Sequence, residues 1–394
     1  MRKISLCYNA VDPEAEELVR EVLMSGQYSP GSKVREFEEK LSAVHGAKHC
    51  VFVNSGTDAL RLSLLALKKK YGWSDGDGVA VTTQTFVATV NVILQAGLKP
   101  YFYDAGNPWN LEHRMRTSSE PVNIKAIMPV HLMGRPCDDY TFELASKNGW
   151  KVLEDSCETI LNKPRGDVSC HSTYMAHHLV TGVGGFALTN NADLMWRIRG
   201  LANHGRHTNY IPGFPPADPE HRKPENRIGY RFQFTDIGYS CRGTEFEAAL
   251  GLSQIDHLKQ NVRKRRAVAQ SLWEIIHPLN VFLADEPAQH PGHTFFAFPL
   301  IAREDFVFDK YSFCLHLENA GIETRELMPI TNQRCYRDLF KNQSFAVSEH
   351  WNKNGFYIPC HPGMTEDDIG QIERAFRSGL SSLHVSDAGT TLAA

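Results

Sequence analysis

Val51-Phe-Val-Asn-Ser-Gly-Thr-Asp-Ala-Leu60 is the stretch whose reading decides the fold. Its apolar start makes a short buried strand, a polar turn containing Gly56 follows, and Leu60, Leu64 and Leu67 then recur at helical spacing. A strand that feeds directly into a helix is half of a β–α–β unit, and the pattern continues in both directions. Upstream, Asp12 and Pro13 pair as N-cap and first helical residue, and Gly26 closes that helix near Ser25. Downstream come Val79–Val81, a helix through Val87–Ala96, and the strand Pro100–Tyr103. Ile124–Pro129, the helix Asp139–Lys147 and the strand Trp150–Glu154 carry the alternation further. Strands separated by helices imply an α/β fold in three layers, a mostly parallel sheet covered on both faces.

The rhythm breaks at residues 205–235, a Gly-, Pro- and His-rich segment that contains Ile211-Pro-Gly-Phe-Pro-Pro-Ala-Asp-Pro. A segment this long without periodicity reads as a functional or interface loop. One amphipathic helix is expected from Thr244 to about His277, then a strand at Thr294–Ile301, a helix near Tyr311–Ala320 and a strand at Phe356–Pro359. Thr365-Glu-Asp-Asp368 resembles a capping box, with Asp where Glu or Gln is usual. The chain therefore divides into a large α/β domain over 1–245, whose first helix is a candidate to pack on the small domain, and a smaller α+β domain over 246–382. Residues 383–394, rich in Ser, Thr, Ala and Gly, read as a disordered tail.

At 394 residues the chain exceeds what one core usually supports. Its net charge of −3, from 42 basic and 45 acidic residues, has no long block of one sign. Arg263-Lys-Arg-Arg266 is then a solvated helix face, and nucleic-acid binding is not expected. The nine cysteines lie apart with no C-x-x-C pair, which argues for reduced thiols rather than a disulfide framework, and no metal site is read. No cationic leader followed by an apolar run opens the sequence, and no apolar stretch approaches membrane length. The expectation is a soluble, untargeted, cytoplasmic protein that does not associate with membranes.

Several residues are candidates for chemistry. Gly56 and Thr57 sit where the free N–H groups of a first helical turn favour a phosphate, although Ser55 or Thr57 as a plain helix cap explains the same pattern. Asp155 falls at the end of a strand, the edge where open α/β sheets place ligands, and is either a ligand-holding carboxylate or another cap. Phe86 is either a flat surface for a ring or a core aromatic. Ser172-Thr-Tyr-Met-Ala-His177-His178-Leu-Val-Thr-Gly-Val-Gly-Gly185 combines a hydroxyl, reactive side chains and a glycine turn downstream of Leu153-Glu-Asp155.

The order of these motifs carries more than any one of them. Asn54–Leu60, Thr85-Phe-Val-Ala-Thr-Val-Asn91 with Ala96-Gly-Leu-Lys-Pro100, Pro129-Val-His-Leu-Met-Gly134 and Glu154-Asp155 follow in sequence. With Ser25–Gly31, Gly238–Gly251 and Tyr357–Thr365, they resemble the fold-type I pyridoxal-phosphate group of nucleotide-sugar aminotransferases and dehydratases, the DegT/DnrJ/StrS family, over roughly residues 5–380. The resemblance implies a pyridoxal 5′-phosphate or pyridoxamine 5′-phosphate cofactor. Gly56, Thr57 and Ser172 would hold its phosphate, Phe86 would stack on its ring, and Asp155 would pair with its nitrogen. Glu158 stands where the aminotransferases carry glutamine beside the phenolic oxygen, and an ionised pair would repel, so one partner should hold a proton. Ser240 stands where an asparagine commonly reaches the phosphate of the other subunit, which implies a homodimer.

The main departure is at His177-His178, where family aminotransferases read Lys-Asn. Lysine holds the cofactor covalently and imidazole cannot, so His177 can only move protons. The same replacement occurs in the family's 3-dehydratases, which remove the C3 hydroxyl of nucleotide-linked 4-keto-6-deoxy sugars in deoxysugar and lipopolysaccharide O-antigen biosynthesis. The likeness is strongest to those that act without an iron–sulfur cluster on a GDP-linked 4-keto-6-deoxymannose and regenerate their cofactor with L-glutamate. With a pKa near ~6.5, imidazole serves as base and then acid. The competing readings are an aminotransferase of the same family and a non-catalytic binding or regulatory protein. His178 reads as a packing or sugar-contact residue, and His131 and His361 as core or surface histidines.

Overall fold

The computed structural model describes residues 3–8, 13–106, 111–116, 123–327, 330–341 and 343–389. Eight strands build the main sheet: β1 His49–Val53, β2 Gly78–Thr82, β3 Lys99–Ala105, β4 Leu111–Arg116, β5 Ile124–Met128, β6 Lys151–Asp155, β7 Val168–Ser172 and β8 Gly185–Thr189. Their spatial order is β1-β8-β7-β6-β5-β2-β3-β4. The run β7-β6-β5-β2-β3 is parallel, β8 is antiparallel to both neighbours, and β4 adds an antiparallel edge. Gly78-Val-Ala-Val-Thr82 is buried at every position, as expected of a parallel strand covered on both faces.

The helix Gly56–Tyr71 lies across this sheet with Leu60, Leu64 and Leu67 inward. Ser55 caps it by accepting from the Asp58 N–H at 3.0 Å, and Gly72 ends it in the left-handed conformation. Lys68, Lys69 and Lys70 in the last turn complement the helix dipole.

A smaller antiparallel sheet holds β9 Phe282–Leu283, β10 Phe298–Ala302, β11 Arg325–Glu326 and β12 Gly355–Ile358, in the order β11-β12-β10-β9. Phe282, Phe298, Phe313, Phe356 and Phe376 fill its core. Thr365 begins the last helix with both capping-box bonds in place. Its N–H donates to Asp368 Oδ2 at 2.9 Å, and the Asp368 N–H donates back to Thr365 Oγ1 at 3.3 Å.

The structure departs from the sequence reading in several places. The single helix expected over 244–277 is two, Glu245–Ile255 and Leu258–Ile276. The first packs Ala248, Leu252 and Ile255 beside Phe37 and Phe52, whereas the second turns Ala269, Leu272 and Ile276 toward the phenylalanine core. The two helices meet at Asp256–His257, and Leu258 and Val262 at the start of the second still pack with the first helix's cluster. The first helix, Pro13–Ser25, packs on Glu245–Ile255, a helix nearly all of which lies within the segment assigned from sequence to the small domain, and Ile4 joins the phenylalanine core. Its expected cap Asp12 lies outside the described residues.

The strand expected from Thr294 starts at Phe298, because the N–H groups of Thr294 and Phe296 donate to Gly134 O and Met133 O and stitch the two parts together. Residues 205–235 form turns and short helical pieces, Pro219–Arg222, Pro224–Arg227 and Ile228–Tyr230. The final helix runs to Gly389, through most of the segment read as a tail, and residues 390–394 lie outside the described residues. No helix among the described residues is long and apolar enough to cross a membrane.

Candidate active site

The carboxyl ends of β5, β6 and β7 are laced together. The Asp155 N–H donates to Pro129 O at 2.8 Å, the His131 N–H donates to Asp155 O at 2.9 Å, and the Ser156 N–H donates to Cys170 O at 2.8 Å. The end of β1 and the start of β8 reach the same edge, since Val53 pairs with Gly185. A cavity of about 390 Å³ opens there, and it brings together Gly56, Thr57, Phe86, Asp155, Glu158, Ser172 and His177.

Each of these is placed for a local reason. A Cβ on Gly56 would stand 2.8 Å from Ser172 Cβ and 2.9 Å from Cys157 Sγ, so only glycine lets the helix start approach β7. A Cβ on Gly185 would fall 2.4 Å from Gly56 N, which explains the glycine opposite. Asp155 is held through both oxygens: Thr89 Oγ1 donates to Oδ2 at 2.7 Å and the Cys157 N–H donates to Oδ1 at 3.2 Å. Phe86 is 53% exposed at the cavity, which excludes the core reading. The loop between β7 and β8 is closed by Thr173, whose N–H donates to Gly184 O and whose hydroxyl meets Thr181 Oγ1 at 2.6 Å.

The electrostatics differ from an ordinary solvated site. Burial first, then the positive charge of Arg265, lower the His177 pKa to about 4, against a smaller opposing effect of the Cys157 backbone. The imidazole is therefore neutral at pH 7, well below the free value assumed from sequence, and its Nδ1 is buried without a hydrogen-bond partner. Burial raises Glu158 to about 7; the Met133 N–H, donating to Oε2 at 2.6 Å, opposes this, and the nearby Asp155 adds to it. Burial thus favours the neutral carboxyl of Glu158 far more than in water.

Ser240 is the exception. It is exposed, accepts from Arg242 Nη2 at 2.6 Å, and does not line the cavity of its own chain. His178 lies beside His177 with Nε2 3.3 Å from Thr294 O. His131 is a core residue bridging Glu154 Oε2 at 3.0 Å and the Cys137 N–H at 2.9 Å, and His361 is buried against Tyr8.

Sequence reasoning missed Thr89, Cys157, Phe296 and Tyr357, all of which touch Asp155 or line the cavity. Cys157 reaches the site from the turn after β6, where its N–H donates to Asp155 Oδ1. Phe296 had no sequence signal, because it arrives from a segment distant in sequence, and Tyr357 opens the Tyr357–Thr365 motif but was given no role there.

These groups fit a pyridoxal-type cofactor. The first turn of a capped helix with adjacent hydroxyls suits a phosphate, Phe86 offers a ring face, and Asp155 offers a carboxylate to a ring nitrogen. Buried Asn54 Oδ1, without a partner at the same cavity, leaves a further acceptor for a bound group.

A family model described as the DegT/DnrJ/EryC1/StrS aminotransferase family matches residues 9–377. The chain belongs to that family. Pyridoxal phosphate is the family's cofactor. The chain is 29% identical over 382 residues to the spore coat polysaccharide biosynthesis protein SpsC of Bacillus subtilis, covering 93% of this chain and 94% of that one. It is 28% identical over 385 residues to the GDP-perosamine synthase of Escherichia coli O157:H7, covering 94% and 96%. Among solved structures, the E. coli GDP-4-keto-6-deoxy-D-mannose-3-dehydratase with bound hydrated PLP superposes with a TM-score of 0.84 at 24% identity, covering 95% of this chain and all of that one. Nucleotide-sugar aminotransferases and a dehydratase thus stand together among its relatives.

Proposed function

We propose that this protein is a 3-dehydratase, which removes the C3 hydroxyl of a nucleotide-linked 4-keto-6-deoxyhexose with His177 as base and acid. The observation that carries the reading is the lining of the cavity: among the described residues it contains the His177 imidazole and no lysine. When bound, pyridoxamine phosphate supplies an amine for the C4 ketone and a ring that accepts electrons. The remaining work belongs to the chain. Gly56, Thr57 and Ser172 hold the phosphate, Phe86 covers the ring, and Asp155, fixed by Thr89, keeps the ring nitrogen charged. Neutral His177 receives a proton from carbon at an imidazole nitrogen, with Nδ1 unengaged by protein, and then delivers it to the departing C3 oxygen. Glu158, poised near neutrality, shares a proton with the phenolic oxygen rather than repelling it. L-glutamate restores the amine after each turnover.

The same reading assigns a homodimer, with residues 205–242 reaching the neighbour's cofactor. Phe232 and Ile237 are almost fully exposed there, and Ser240 does not line the cavity of its own chain. The test is product analysis with pyridoxamine phosphate and a nucleotide-linked 4-keto-6-deoxyhexose. Dehydration gives ammonia and a sugar lacking its C3 oxygen, with glutamate needed only for repeated turnover. An amino sugar formed in step with 2-oxoglutarate would instead make the protein an aminotransferase, as its perosamine-synthase relative is named.

A further inference from the structure

Tyr357 brings to the cofactor cavity a hydrogen-bonding group that the cofactor contacts leave unused. It sits in β12, the strand between β11 and β10, opposite Pro299 and Arg325. Its neighbours Phe356 and Ile358 are buried in the phenylalanine core, so the two-residue period of a strand turns Tyr357 to the opposite face of the small sheet. There the ring packs against the cluster that contains Val130, Leu132 and Met133, and the residue lines the cavity together with Glu158 and Phe296. Phe296 and Tyr357 are the only described lining residues beyond position 245, and of the two only Tyr357 can hydrogen-bond. Its phenolic oxygen has no hydrogen-bond partner among the described residues, yet it is not sealed from solvent. Burial, then the negative charge of Glu158, raise the phenol above its ordinary pKa against the opposing charge of Arg325. The oxygen therefore keeps its proton at neutral pH and presents a donor.

We propose that Tyr357 is a substrate-binding residue, whose phenolic O–H donates to an oxygen of the hexose held over the cofactor. The proposal rests on the reading of the cavity as a nucleotide-sugar site and holds for a dehydratase and an aminotransferase alike. In that reading the large-domain groups are already engaged: Gly56, Thr57 and Ser172 with the phosphate, Phe86 with the ring, Asp155 with the ring nitrogen and Glu158 with the phenolic oxygen. Tyr357 arrives from the small sheet with its donor unspent. The chemistry of the lining says which part of the substrate it meets. A diphosphate calls for lysine or arginine, and among the described residues the cavity lining holds neither. A neutral donor in such a cavity matches the uncharged hydroxyl and keto oxygens of a sugar.

The test is calorimetric titration of GDP-4-keto-6-deoxymannose and dTDP-4-keto-6-deoxyglucose, and of GDP and dTDP alone, into wild type and Tyr357→Phe saturated with pyridoxal phosphate. The aldehyde form of the cofactor offers the ketone no amine, so binding is read without turnover. The substitution keeps the ring that packs near Val130 and Met133 and removes only the O–H. The expected result is that Tyr357→Phe holds the sugar nucleotide about tenfold more weakly, the order of one lost hydrogen bond, while the matching free nucleotide and pyridoxal phosphate bind both proteins equally. Equal affinity of the two proteins for the sugar nucleotide overturns the proposal and leaves the nucleotide-sugar reading standing. A loss shared by the free nucleotide, or confined to pyridoxal phosphate, assigns the phenol to another ligand and overturns the proposal as well. A wild type that binds neither sugar nucleotide overturns the nucleotide-sugar reading itself, and the proposal with it.

Discussion

Replacing His177 with asparagine removes the imidazole while keeping a polar side chain of similar reach, and the structure sets two magnitudes for the outcome. The first is kinetic: loss of a positioned base should lower turnover by roughly 10²–10⁴-fold. The second is thermodynamic and independent of any substrate. The folded imidazole titrates at about 4, whereas a free one titrates near ~6.5, so between these values the unfolded chain binds a proton that the folded chain refuses. Stability contributed by neutral His177 is complete above the unfolded pKa and is lost as pH falls through the folded value. Integrating the two titrations from pH 7 to pH 5 gives a loss of about 2 kcal/mol, a ceiling because part of the ring borders the open cavity.

His177→Asn should not suffer that loss. Urea unfolding of cofactor-free wild type and variant at pH 7 and pH 5 reads the difference directly, with the other buried histidines common to both. If both proteins lose equal stability on acidification, the imidazole is solvated and the base argument loses its electrostatic footing. If His177→Asn also keeps near wild-type turnover while His178→Asn is inactive, the base is the neighbouring residue.

Other outcomes follow from the same geometry. Gly56→Ala pushes the helix start away from Ser172 and Cys157 by several tenths of an ångström. At about 1–3 kcal/mol for such overpacking, pyridoxal-phosphate affinity measured by absorbance titration should fall roughly 5- to 150-fold. Thr89→Val deprives Asp155 Oδ2 of its donor and should weaken cofactor affinity roughly tenfold, the order of a hydrogen bond to a charged group; unchanged affinity would mean that Asp155 needs no such support. The bound cofactor's spectrum should titrate near the Glu158 pKa of about 7, protonated below and ionised above, and Glu158→Gln should abolish that transition. Light scattering should show a dimer, and an active monomer would remove the role given to residues 205–242.

How much was legible in sequence depended on how local the signal was. Ser55, Gly56 and Leu60–Leu67 announce a capped helix after a strand, and that one stretch carries the proposed phosphate cradle with it. Thr365 and Asp368 are three residues apart, and both capping bonds form as read. The break at Asp256–His257 has no glycine or proline to mark it; Ala248, Leu252 and Ile255 before it pack with Phe37 and Phe52, and Ala269, Leu272 and Ile276 after it pack with the phenylalanine core. The strand at Thr294 was misread because its N–H groups go to Met133 and Gly134, distant in sequence. His177 was conspicuous from its neighbours, but the lowering of its pKa was not, since burial and Arg265 act on it only after the chain has folded.

The central claim, that an imidazole rather than an amine faces the cofactor, is tested most directly by borohydride reduction of the protein with pyridoxal phosphate, followed by intact-mass and peptide analysis. Wild type should yield no covalent adduct and release its cofactor on dialysis, while His177→Lys should gain a visible absorbance band and a reduced adduct at position 177. A reduced adduct on any lysine of the wild-type protein would contradict the account, because it would place an amine where the cavity shows His177.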